Sequence, residues 1–264
     1  MKFTKMHGLG NDYLYVYGEV PGNAAELSKK LSERHLGAGS DGMIYISTSN
    51  IADFKMRIFN ADGSEAKMCG NGIRCVGKFV YDKGYTDKKF ISIETLSGVK
   101  YLTLQIVGGK VKTITVDMGQ AEAEKAMNLT VDGETVSLFP VSVGNPHAVI
   151  FVDDIEKAPL TKLGPIIEHH EAFPDGVNVE FVQVLGADKL RMRVWERGSG
   201  VTMACGTGAC ASVMAAIAAK LCHYDETVSV LLDGGTLKIQ IASDNTVQMT
   251  GPAETVYEGE TEIC

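Results

Sequence analysis

Met68-Cys69-Gly70-Asn71-Gly72-Ile73-Arg74-Cys75 is answered later in the chain by Ala204-Cys205-Gly206-Thr207-Gly208-Ala209-Cys210. Cys69 and Cys205 lie 136 residues apart, and at that offset, without a gap, Arg57-Ile58-Phe59 falls on Arg193-Val194-Trp195. Gly70 and Gly72 fall on Gly206 and Gly208. A Cys-Gly-x-Gly loop that occurs twice at one spacing marks an internal duplication. The chain is therefore read as two domains of one architecture, each contributing a cysteine at the same place.

The copies can be followed outward from the loops. Asp12 to Tyr17 is aromatic and β-branched and reads as a strand, and Ala24 to His35, with Leu27 and Leu31 apolar, reads as an amphipathic helix. Strands follow at 43–46 and 54–59, then the first Cys loop and a helix carrying Ile73, Val76, Phe79 and Val80, then strands at 90–94, 99–107 and 111–118. The second half replays this order. Gly144-Asn145-Pro146-His147 mirrors Gly10-Asn11-Asp12-Tyr13, Leu163 to His170 mirrors the first helix, and strands at 179–184 and 191–196 lead into the second Cys loop. A helix from Cys210 to Leu221 and strands at 228–232 and 236–241 complete the copy. That helix is apolar all round, which marks it as buried. The expected fold is α/β of the α+β type: two pseudo-symmetric domains, each a mostly antiparallel or mixed sheet wrapped around a central helix. The expected boundaries are 1–118 plus 252–264 for the first domain and 119–251 for the second.

Composition narrows the function classes. With 45% hydrophobic and 22% charged residues the chain is an ordinary globular one, and its net charge of −8 argues against a nucleic-acid partner. The start, Met1 to Gly8, lacks the apolar core of a secretory signal, and no run approaches a membrane span, so a cytoplasmic protein without a membrane partner is expected. Six cysteines are then expected to be thiols. Asn128-Leu129-Thr130 is a chance match to a glycosylation acceptor. Gly37 to Gly42 has the letters of a dinucleotide fingerprint, but a helix precedes it and a strand follows, so it reads as a turn.

The chemistry lies with the matched cysteines. A cysteine at a helix N-terminus faces unpaired N–H groups and the positive end of the helix dipole, which favour thiolate. The adjacent glycines let backbone N–H groups approach an anion such as a carboxylate. Pseudo-symmetry would bring two such helix ends to one cleft. A carboxylate with a thiol on either face describes an amino-acid α-carbon deprotonated from one side and reprotonated from the other, which is racemisation or epimerisation by two bases. Cys75, Cys210, Cys222 and Cys264 read instead as packing residues. Structural zinc does not fit, because Cys69 to Cys75 and Cys205 to Cys210 lack short hooks, and a cysteine protease would not need a duplicated thiol. His147 suits either a structural or a site role. Glu196 and Arg197 precede the second loop, and Asn11, Asn60, Asn145 and Asn178 sit in turns at strand ends, where substrate contact competes with local turn chemistry.

Asn60-Ala61-Asp62-Gly63-Ser64, both Cys loops, Gly144-Asn145-Pro146-His147 and Glu196-Arg197-Gly198 resemble the diaminopimelate epimerase family. Lys5-Met6-His7-Gly8-Leu9-Gly10-Asn11-Asp12 and Met249-Thr250-Gly251-Pro252-Ala253 extend the resemblance over essentially the whole chain. The resemblance implies an isomerase needing no cofactor and no metal. It would interconvert LL- and meso-2,6-diaminoheptanedioate in lysine and peptidoglycan-precursor biosynthesis, as a homodimer of two-domain subunits. Carried over by position, Cys69 and Cys205 are the acid and base, and Gly70, Asn71, Gly206 and Thr207 hold the α-carboxylate. His147 and Glu196 assist proton movement, and Asn11, Asn60, Asn145, Asn178, Glu196 and Arg197 bind the amines and distal carboxylate. At Gly42 some relatives carry a glutamine, so contact there must come from backbone or be absent. The runner-up in the same fold is a proline or hydroxyproline racemase; from another class, a dithiol redox sensor would also use two activated cysteines.

Overall fold

The computed structural model of the chain describes residues 1–263, so the reading of Cys264 as a packing residue lies outside the described residues. The chain divides into two compact units, one made of Met1–Val116 with the segment from Gly251 onward, the other of Asp117–Thr250.

In chain order the elements begin with β1 (Lys2–Gly8), β2 (Asn11–Tyr17), α1 (Ala24–Ser32), β3 (Gly42–Ser47) and β4 (Phe54–Asn60). Then come β5 (Glu65–Ala66), α2 (Gly70–Asp82), β6 (Phe90–Thr95), β7 (Gly98–Val107) and β8 (Lys110–Gln120). The second repeat has β9 (Glu122–Ala123), β10 (Met127–Val131), β11 (Glu134–Ser142), β12 (Pro146–Phe151), α3 (Leu160–Glu168), β13 (Asn178–Gly186) and β14 (Lys189–Glu196). It ends with β15 (Gly200–Thr202), α4 (Gly206–Ala218), β16 (Thr227–Leu232), β17 (Gly235–Ile241), β18 (Thr246–Pro252) and β19 (Glu254–Glu260).

The first unit runs β19-β1-β2-β3-β4-β6-β7-β8, antiparallel except for the parallel joins β2–β3 and β4–β6. The second runs β9-β11-β12-β13-β14-β16-β17-β18, with its parallel joins at β12–β13 and β14–β16. The order and the places of the parallel joins are the same. Each unit is a mixed, sheet-dominated α/β structure.

In the first unit α2 packs on β1, β2 and β7 and is buried from Gly70 to Val80. A Cβ on Gly77 would meet Leu102 and Leu104 of β7 at 2.9 and 3.1 Å, so its missing side chain lets the sheet close on the helix. In the second unit α4 touches β9, β11, β12, β13, β14, β16 and β17. Burying eleven of its residues, from Gly206 to Ile217, is possible because they are small or apolar. The amphipathic helices lie elsewhere: α1 packs on β3 and β4, and α3 on β10, β13, β14 and β15.

Several elements differ from the sequence expectation. α4 begins at Gly206 and ends at Ala218, not at Cys210 and Leu221, because the glycine-rich first turn carries no apolar period. Strands β1, β5, β9, β10, β11, β15, β18 and β19 add to those expected. β1 is hydrogen-bonded between β2 and β19, and β10 and β11 are joined by Asp132-Gly133, both at positive φ (57° and 81°), a hairpin turn of primed type.

Candidate active site

Each cysteine caps its own buried helix. Cys69 has extended backbone (φ −141°, ψ 117°) and its Sγ accepts from Gly72 N at 3.3 Å; Cys205 (φ −110°, ψ 114°) accepts from Gly208 N at 3.3 Å. A thiol thus takes the place usually held by a Ser or Asp oxygen. The N–H groups of the first turn, from Gly70 and Asn71 in one unit and Gly206 and Thr207 in the other, point away from the helix body, as in any anion-binding helix end.

In the first unit the Cys69 thiol, half-buried, donates to Asn11 Oδ1 at 3.4 Å. The Asn11 amide continues to Asp41 Oδ2 at 2.9 Å, and Asp41 also accepts from Asp12 N and Arg34. Asn11 follows a two-residue turn, Leu9-Gly10, with both φ values positive (58° and 89°), which joins β1 to β2 and presents the asparagine at the strand start. Asn60, at the end of β4, accepts from Tyr13 OH at 3.5 Å and donates to Ser64 Oγ at 3.1 Å. The Asn71 side chain is committed to structure: its Oδ1 accepts from the fully buried Arg74 at 2.9 Å, and Arg74 also reaches Gly70 O and Pro252 O. At Gly42 a Cβ would lie 2.2 Å from Phe59 O, so this backbone excludes a side chain there.

In the second unit the groups are ionisable. His147, 1% exposed, places Nδ1 2.7 Å from Glu180 Oε1 and Nε2 3.1 Å from Asn145 Oδ1. Asn145 Nδ2 donates to Thr207 Oγ1 at 3.3 Å, and Thr207 Oγ1 lies 3.5 Å from Cys205 Sγ. Glu196 accepts a hydrogen bond from Thr202 Oγ1. Asn178 is tied at both ends, donating to Pro146 O at 3.0 Å and accepting from Arg197 N at 3.0 Å. The Arg197 guanidinium turns to the carbonyls of Asp175 and Gly176 and not to Glu196. The structure therefore gathers Asn145, His147, Thr207 and Cys205 into one chain of contacts, with Glu180 as a member that sequence reasoning did not single out. Its one signal was an acid set between the apolar Val179 and Phe181-Val182.

Electrostatics correct one expectation. The helix end was expected to favour thiolate at Cys205, yet burial pushes this thiol well above its ordinary value, and the carboxylates of Glu196 and Glu180 push in the same direction. Burial also raises Glu196, with Glu180 adding like-charge repulsion. Desolvation and two acids outweigh the helix end and its N–H donor, so Cys205 rests as the protonated thiol. Cys75 and Cys222 are inert: burial lifts them to about 12 and about 11. None of the five described cysteines is in a disulfide.

Against family models, the chain matches that of diaminopimelate epimerase over residues 3–124 and 139–256. A protein of Acetivibrio thermocellus named diaminopimelate epimerase is 49% identical, the match covering 100% of this chain and 99% of that protein. One of Bacteroides thetaiotaomicron with the same name is 51% identical over 99% of this chain and 98% of its own. Among solved structures, a probable proline racemase from Agrobacterium radiobacter aligns with a TM-score of 0.74, covering 100% of this chain and 93% of that one. At 15% identity that likeness is one of fold alone.

Proposed function

Since the chain belongs to the diaminopimelate epimerase family, we propose that it interconverts LL- and meso-2,6-diaminoheptanedioate by inversion at one α-carbon, without a cofactor. One cysteine, as thiolate, takes the α-proton and becomes a thiol; the other, as thiol, returns a proton to the opposite face and becomes the thiolate. The carbanion between these steps is stabilised by preorganised N–H donors aimed at the carboxylate. Gly70 and Asn71 supply them on one side and Gly206 and Thr207 on the other. The observation that carries this reading is the repeated device itself: a thiol capping a buried helix whose first-turn N–H groups serve an anion, present in both units. Cys205, held protonated by its surroundings, suits the donor role at rest.

In this reading His147 and Glu196 assist the proton at Cys205, and Asn11, Asn60, Asn145, Asn178, Glu196 and Arg197 hold the amines and the distal carboxylate. The product serves lysine and peptidoglycan-precursor synthesis in the cytoplasm, and the working form is a homodimer. Several amide side chains and Arg197 favour a long substrate with a second polar head over the small ring of proline. Incubating the protein with LL-diaminoheptanedioate and, separately, with L-proline tests the choice. Formation of the meso isomer with no racemised proline is expected; activity on proline alone overturns the reading.

A further inference from the structure

In each unit one first-turn glycine of the buried helix faces a single side chain of the neighbouring strand. A Cβ on Gly72 would come within 2.7 Å of Ile44 Cδ1, and one on Gly208 within 2.7 Å of Glu180 Oε1. Ile44 and Glu180 are 136 residues apart, the spacing of the cysteines, and β3 and β13 pair in the same register with β4 and β14. One position of the fold therefore holds isoleucine beside Cys69 and glutamate beside Cys205.

Packing does not call for the glutamate. Glu180 is fully buried, and its Oε2 has no hydrogen-bond partner among the described residues. Desolvating a carboxylate is costly, and apolar residues of similar volume commonly replace a buried ion pair without loss of stability. The first unit shows that isoleucine fills the place. What the carboxylate supplies is its contact with His147, whose Nδ1 lies 2.7 Å away while Nε2 faces Asn145 Oδ1. An ionised carboxylate only accepts, so Glu180 calls for a proton on Nδ1 and fixes the orientation of the ring. From the ring the contacts continue through Asn145 and Thr207 to the Cys205 thiol. The position equivalent to His147 is Tyr13, so neither member of the Glu180–His147 pair exists in the first unit.

We propose that Glu180 is a positioning residue for Cys205: it fixes the orientation and the Nδ1 proton of His147 and, through Asn145 and Thr207, the setting in which the second thiol gains and loses its proton. The proposal rests on the reading of Cys205 as an acid–base group. A purely structural Glu180, serving the N-terminus of α4, would affect stability only.

The variants are Glu180→Ile, which copies the first unit, and Glu180→Gln, which keeps the shape should the former fold poorly. The groups facing Cys205 are Glu196, Glu180, the Thr207 hydroxyl and the Gly208 N–H. Two readouts need no substrate: the ring ¹⁵N signals of His147, assigned by their loss in His147→Asn, and the rates at which iodoacetamide alkylates Cys205 and Cys69 at pH 8. Wild-type His147 should show a hydrogen-bonded proton on Nδ1, and in the variants that signal should move as the carboxylate is lost. Losing a close negative charge should speed alkylation of Cys205 by about tenfold and leave Cys69 within about twofold. Turnover of diaminoheptanedioate should fall about tenfold or more in kcat with little change in KM. Unchanged His147 signals, or an unchanged rate at Cys205, in a folded variant overturns the proposal. If the wild type does not turn over diaminoheptanedioate, the functional reading fails while the two substrate-free readouts still decide on Glu180.

Discussion

Four substitutions separate the surroundings of the two thiols: Tyr13, Ile44, Asn60 and Asn71 in the first unit stand where His147, Glu180, Glu196 and Thr207 stand in the second. The cysteines and their glycines were legible because they repeat. Glu196 was legible by its place ahead of the second loop, whereas Glu180, inside a strand of mostly apolar residues, carried no sign of the thiol beside it. Glu196 carries a pH signature of this crowding. Its carboxyl is raised in the folded state, by burial first and by Glu180 second. The folded chain then holds a proton that the unfolded chain releases, so stability falls as pH climbs from the ordinary carboxylate range through the raised value, and stays lower above it. Glu196→Gln removes the charge and keeps an oxygen to accept from Thr202. Thermal unfolding of both proteins from pH 4 to 8 should show the variant gaining on the wild type as pH rises, with about 2–4 °C for each kcal/mol, while its epimerase activity drops. A variant that loses ground to the wild type as pH rises contradicts the assignment.

At the scale of elements, the helix ends show what periodicity can and cannot find. Gly84 at φ 78° ends α2: its N–H donates to Tyr81 O and that of Tyr85 to Val80 O, a Schellman pair. In α4 the same pair forms from Lys220 N to Ile217 O and Leu221 N to Ala216 O, with Lys220 at φ 60° in the place of the glycine. Without a glycine to mark it, the sequence reading carried this helix on to Leu221. A lysine held there is strained by about 1 kcal/mol, so Lys220→Gly should raise Tm by about 2–4 °C without altering kcat. A fall in Tm contradicts the strain. The Asp132-Gly133 turn between β10 and β11 was legible by its dipeptide, but the hairpin has no counterpart in the repeat and was passed over.

Across the whole molecule, the offset of 136 residues gave the architecture, because each unit repeats one strand order with its parallel joins at the same places. Duplication explains why two helix-capping thiols exist; divergence explains why one of them sits among acids and the other beside an amide. A two-base epimerisation uses both consequences, since the proton leaves to one thiol and returns from another. The direct test is proton NMR of LL-diaminoheptanedioate turned over in deuterated water by the wild type, Cys69→Ala and Cys205→Ala. The wild type should yield the meso isomer with deuterium at the inverted α-carbon, and each variant should lose about a thousandfold or more in rate. Full turnover by either variant, or a meso product that keeps its original proton, contradicts the two-thiol account.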